Sequence, residues 1–266
     1  MSKAKVVWGW RKVMPKYARV VAAAVLALLL GAVVPAAVAQ KTDAQIQADA
    51  QKQLSNKKYS GVHVQVQDGV VHLTGQVERF ADKGDAQTRV EKMHEASGVR
   101  NDITVAGAGS VSDAELFQKL SKQLVYDRQG YASYPFNSLT LEVHNGVVTV
   151  GGVVVEPIDK DSALGLIKNA QGVQGVIDHI QVAPLSPSDN RIRAAEYHAI
   201  YDAPQFTKYA INPAKPIRIV VVNGHVVLTG VVDNTGDREI AGIRANQVPG
   251  VFSVQNDLQV AGQGER

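Results

Sequence analysis

The sequence predicts an α+β protein of three tandem αββαβ two-layer sandwiches, each with two helices on a three-stranded mixed sheet. Three observations lead there. An Asx-Gly hairpin signal occurs at Asp68-Gly69, Asn145-Gly146 and Asn223-Gly224, each time between alternating apolar runs. The same residue types follow every signal at the same offsets, from origins 77 and 78 residues apart. Helical patterns stand before and after the hairpins.

Taken in order, the first helix of each copy opens on a polar cap, expected at Thr42, Ser112 and Ser188. Gln45 and Glu115 supply the reciprocal partner of a capping box, whereas the third copy has Arg191 there. Ile46, Ala50 and Leu54 step by four, as do Leu116, Leu120 and Leu124, and each series makes one buried stripe. The first strand alternates through Val62, Val64 and Val66, or through Leu139, Leu141 and Val143. The turn dipeptide accepts positive φ and joins it antiparallel to the second strand.

Six residues past each turn glycine stand Gly75, Gly152 and Gly230, and a glycine inside a strand marks a bulge or a close approach by another element. Ala86, Ala163 and Ala241, eleven residues further on, fall on the second helix and are expected to be that element. Each copy closes on a short strand: Val99, Ile103 and Val105, then Val176, Ile180 and Val182, then Val254, Leu258 and Val260.

These elements divide the chain at 40–109, 110–185 and 186–266. Val147, Val153 and Val155 in the second copy, with Val227 and Val231 in the third, are apolar residues on the other sheet face. Copies two and three are therefore expected to pack as a pair while the first moves more freely. Residues 1–39 read as an export signal: a basic leader, the apolar run Val20 to Val34, and Ala37-Val38-Ala39 as a cleavage pattern near Ala39. A retained anchor is the competing reading, because Val20 to Ala39 carries no charge and is just long enough to span a bilayer.

The leader holds six of the 28 Lys and Arg residues and no acid, so the rest of the chain carries 22 basic against 25 acidic residues. Nucleic-acid binding thereby loses its compositional support. The absence of cysteine excludes disulfides and a lipidated N-terminal cysteine, hence a lipoprotein. The chain shows no P-loop, G-x-S-x-G or H-E-x-x-H, and its seven histidines are spread singly. No enzyme, cofactor or metal site is expected.

The connections between first helix and first strand in copies two and three hold most of the aromatic residues outside the leader. Tyr131, Tyr134 and Phe136 lie in one, and Phe206, Lys208 and Tyr209 in the other. Two accounts stay open. The rings lid small cores that cannot otherwise be covered, or they form a contact surface for lipid headgroups or a partner protein.

The glycine turn, the Leu-Thr-Gly strand end, the mid-helix alanine and the closing Gly250 to Val260 resemble the BON domain, across all three copies. The first copy departs at Glu95-Ala96, where the others have Gly172-Val173 and Gly250-Val251. The resemblance implies an exported, periplasmic, non-enzymatic protein linked to osmotic or membrane stress, with a phospholipid surface as partner. It also implies an alternative: a chaperone-like holdase or interaction module for envelope proteins.

Overall fold

The computed structural model describes residues 41–107, 109–126, 134–211 and 216–262; the expected leader lies outside them. In the first repeat, α1 (Asp43–Gln53) leads to β1 (Val62–Gln67) and β2 (Val70–Val77), then α2 (Phe80–Glu91) and a closing strand broken into β3 (Gly98–Asn101) and β4 (Thr104–Val105). The second repeat has α3 (Asp113–Tyr126), β5 (Ser138–His144), β6 (Val147–Val154), α4 (Pro157–Asn169) and β7 (Gly175–Val182). The third has α5 (Pro187–Tyr201), a short α6 (Thr207–Ile211), β8 (Arg218–Val222), β9 (His225–Val232), α7 (Thr235–Asn246) and β10 (Ser253–Val260).

In every repeat the second strand is central, antiparallel to the first and parallel to the closing strand. Val71 stands beside Val99, Val148 beside Val176 and Val226 beside Val254. A parallel pair needs a crossover, which the second helix provides. The fold is thus three αββαβ sandwiches with mixed sheets.

The turns have a common cause. Asp68, Asn145 and Asn223 have φ of 52°, 51° and 52°, and the glycines after them 76°, 74° and 76°. Two successive left-handed residues make the type I′ turn, whose twist matches that of the strands it joins. The strand glycines Gly75, Gly152 and Gly230, with φ of 101°, 105° and 125°, have a different reason from the expected one. A Cβ there would meet the carbonyl oxygens of Gly61, Ser138 and Pro216, at the start of the partner strand. The close neighbour is therefore backbone, not Ala86, Ala163 or Ala241, which are fully buried core residues.

Capping differs too. Thr42 makes the full capping box with Gln45, and Ser112 exchanges bonds with Glu115. In the third repeat the cap is Ser186 rather than Ser188, its Oγ accepting the Asp189 N–H at 3.1 Å. Pro187, whose ring presets a helical φ, starts α5 two residues early.

Residues from Thr42 on form one compact unit with three apolar cores. The second and third modules are joined by Ser138 Oγ to Thr229 Oγ1 at 2.9 Å, and by Arg218 Nη1 donating to the Asn137 carbonyl at 2.8 Å. The first module, expected to move more freely, also makes contact with the second. Its α2 packs on α4, and Phe80 touches the cores of both modules.

Candidate functional site

The connection in the third module is a lid. A 3-10 turn, Pro204–Phe206, and α6 carry Phe206 and Tyr209 into the core, at 0% and 2% exposure with rings 6.2 Å apart. The Tyr209 hydroxyl donates to Asp237 Oδ2 at 2.6 Å and accepts the Asp233 N–H at 2.7 Å, so its polar end is satisfied. Burial raises the pKa of this phenol. Lys208 pairs with Asp233 and Asp237, at 2.8 Å each, and its Nζ lies 4.8 Å from the Tyr209 ring centre. Those hydrogen bonds, Asp233 first, raise the lysine's pKa.

Phe206 and Tyr209 are therefore core residues rather than a contact surface, and the charge of Lys208 is balanced locally. In the second module Tyr134 and Phe136 sit in a 3-10 turn, Tyr134–Phe136. Phe136 is half-buried against the third module's core and meets Tyr197 edge-on at 6.4 Å. Tyr131 lies outside the described residues.

The first module repeats the third's solution in a shorter loop. Tyr59, buried on the turn Lys57–Tyr59, donates its hydroxyl to Asp85, and Arg89 Nε donates to that hydroxyl at 3.0 Å. Lys58 bonds Asp85 at 2.6 Å and stands 4.9 Å over the Tyr59 ring. Its hydrogen bond, followed by that of Tyr59, lowers the Asp85 pKa to about 2.

Two repeated acids have no counterpart in the sequence expectations. Asp43, Asp113 and Asp189 each take both backbone N–H groups of their own hairpin turn, at 2.7 to 2.9 Å, tying first helix to hairpin. They stand 26, 33 and 35 residues before the turn glycine, so offsets counted from the turn miss them. A hydroxyl residue directly before each acid marks them, as Thr42-Asp43, Ser112-Asp113 and Ser188-Asp189. Asp82, Asp159 and Asp237 do share one offset, 13, and are buried in the first turn of each second helix. Lys58, Asn137 and Lys208, from the three connections, reach them.

Among the described residues a cleft of about 530 Å³ opens between the second and third modules. Phe117, Leu124 and Val125 of α3 line it with Leu139 and Leu141 of β5, facing Arg218, Gly230 and Val231. Arg218 is the one charged group among its described lining residues. An apolar floor with a single fixed cation at its wall suits an amphiphile whose head is anionic. Away from the cleft, exposed apolar side chains are scattered, with Phe252 at 79% and Ile243 at 57% the most open on the third module. Among the described residues no group of His, Asp and Glu could hold a metal, and no helix is long and apolar enough to cross a membrane.

The BON domain family model matches residues 42–107, 112–184 and 205–262. Osmotically-inducible protein Y of Escherichia coli (strain K12) is 23% identical over 175 residues, which is 65% of this chain and 86% of that protein. Among solved structures, CdsD, a structural protein of the type III secretion system of Chlamydia trachomatis, is 14% identical with a TM-score of 0.23, covering 81% of this chain and 92% of its own. The C-terminal domain of CdsD aligns at 14% identity and a TM-score of 0.22, over 80% of this chain and 96% of its own. These two likenesses are too slight to inform the fold.

Proposed function

The chain belongs to the BON-domain family in all three modules, and from that premise we propose that it is an exported, non-enzymatic binding protein of the cell envelope that contacts phospholipid surfaces in envelope maintenance or stress protection. Its relative Osmotically-inducible protein Y supports an osmotic setting. The observation that carries the lipid reading is the cleft between the second and third modules, mostly apolar and with Arg218 as the one charged group among its described lining residues. A phosphate-bearing head would meet the guanidinium while chain methylenes lie against Phe117 and Leu141, at roughly 0.8 kcal/mol per buried CH₂.

With 22 basic against 25 acidic residues beyond the leader, the chain has no polybasic attraction to an anionic membrane. Binding is weak per module and reinforced by linkage. Flotation with phosphatidylglycerol vesicles tests this: the chain rises with the vesicles at low salt, and Arg218→Glu lowers the floated fraction several-fold. Wild-type protein left at the bottom of the low-salt gradient overturns the reading.

A holdase function is favoured by the exposed Phe252 and Ile243 of the third module. Suppression of the aggregation of an unfolded client, lost in Phe252→Ser with flotation unchanged, supports that reading instead.

A further inference from the structure

The first helix of every module lays one stripe of side chains, four apart, on its sheet. The stripe is Ile46, Ala50, Leu54 in α1 and Leu116, Leu120, Leu124 in α3, but Ile192, Glu196, Ile200 in α5. A carboxyl group thus occupies the position that Ala50 and Leu120 hold in the sister modules. All three residues are 0% exposed, and neither oxygen of Glu196 has a hydrogen-bond partner among the described residues.

The charged and titratable groups around it are engaged elsewhere. On α5 itself, Asp189 holds the turn, Arg191 is exposed, Tyr201 donates to the Ile217 carbonyl and His198 pairs with Asp202, while Arg193 donates through Nη1 to Asn190 and through Nη2 to the Val221 carbonyl, its Nε having no hydrogen-bond partner among the described residues. β8, α7 and the lid pack against α5. From β8, Arg218 reaches the Asn137 carbonyl; from α7, Arg244 reaches the Ala199 carbonyl and Arg238 the Asn256 carbonyl, while Glu239 is exposed. From the lid, Lys208 and Tyr209 are bound to Asp237. None of these is hydrogen-bonded or ion-paired with Glu196.

We infer that Glu196 makes the third module a proton-dependent unit: α5 seats on the sheet while the carboxyl is neutral, and its ionisation loosens α5 together with the aromatic lid of Phe206 and Tyr209. An ionised carboxylate without partners cannot be held in an apolar core, so either the proton stays or the helix moves. Burial alone pushes the carboxyl up from 4.5 to about 7. The unfolded segment loses its proton first as pH rises. Stability is therefore fully present below about pH 4.5, declines from there, and is lost as pH passes 7. The whole effect amounts to roughly a hundred-fold or more in the opening equilibrium. Helix α5 lies outside the family-model match that begins at residue 205. The proton dependence does not rest on lipid binding.

Hydrogen exchange of the full chain at pH 6 and pH 8, divided by the intrinsic rates, tests it. Peptides of α5 and 203–211 are expected to lose protection by about ten-fold between the two pH values, while α1 and α3 change little. Glu196→Leu restores protection at pH 8, and Glu196→Gln, of nearly the same shape but unable to ionise, removes the pH dependence even if the leucine variant packs poorly. Equal pH dependence in wild type and Glu196→Gln, or an equal loss in all three modules, overturns the inference.

Discussion

In the first module Tyr59 enters the core from a three-residue turn; in the third, Tyr209 enters from a longer connection that also brings Phe206. Both hydroxyls nevertheless end on carboxylates of the second helix, Asp85 and Asp237, and both are preceded by a lysine that stands over the ring. The shared requirement is a ring to cover a small core and a polar end that finds a partner when buried. Loop length is free to vary around it. The modules differ in how deeply the acid that ties helix to turn is placed: Asp189 is 1% exposed, whereas Asp43 is half-buried. The third module has more to lose when that acid is removed.

The largest expected effect of that difference is at the lid. Phe206→Ala removes a fully buried ring and is expected to cost about 3–5 kcal/mol, confined to the third module. Module-resolved hydrogen exchange in denaturant would show it, and an equal loss of protection in α1 would break the contrast. Next is the tie between helix and turn. Asp189→Ala leaves the part-buried N–H of Asn223 and the buried N–H of Gly224 without their acceptor and is expected to cost about 2–3 kcal/mol. Asp43→Ala, where water reaches the turn, is expected to cost about 1 kcal/mol or less. Urea midpoints of the two variants compare them directly.

The smallest effect is acid sensitivity in the first module. Lys58 and Tyr59 hold the Asp85 pKa at about 2, below the ordinary 3.8, so its contribution is present above pH 3.8 and fades as pH falls toward 2. The side chain is 39% exposed, which limits the contribution to under about 1 kcal/mol. Asp85→Asn should flatten that part of the acid titration of the first module, followed by exchange of α2, and leave α7 unchanged.

Particular residues show why some of this was legible beforehand. The hairpin turns were readable because two adjacent residues with positive φ leave few choices besides Asx-Gly. Gly75, Gly152 and Gly230 are legible as repeat positions, but their close neighbour is not, since a carbonyl across the sheet has no side-chain signature. Asp43, Asp113 and Asp189 stayed hidden behind connections of unequal length. Phe206 and Tyr209 could be named as unusual, yet an aromatic residue in a loop reads the same whether it lids a core or faces solvent. Helix α5 resisted the stripe reading because Glu196 interrupts it.

The sequence by itself determined the threefold αββαβ plan, since turn chemistry and the periods of helix and strand are local properties of the chain. Only the tertiary structure decided that Phe206 and Tyr209 are covered, that Arg218 faces a mostly apolar cleft, and that Glu196 has no hydrogen-bond partner among the described residues. Burial and pairing depend on what residues distant in the chain bring to the same place, and no local pattern encodes that.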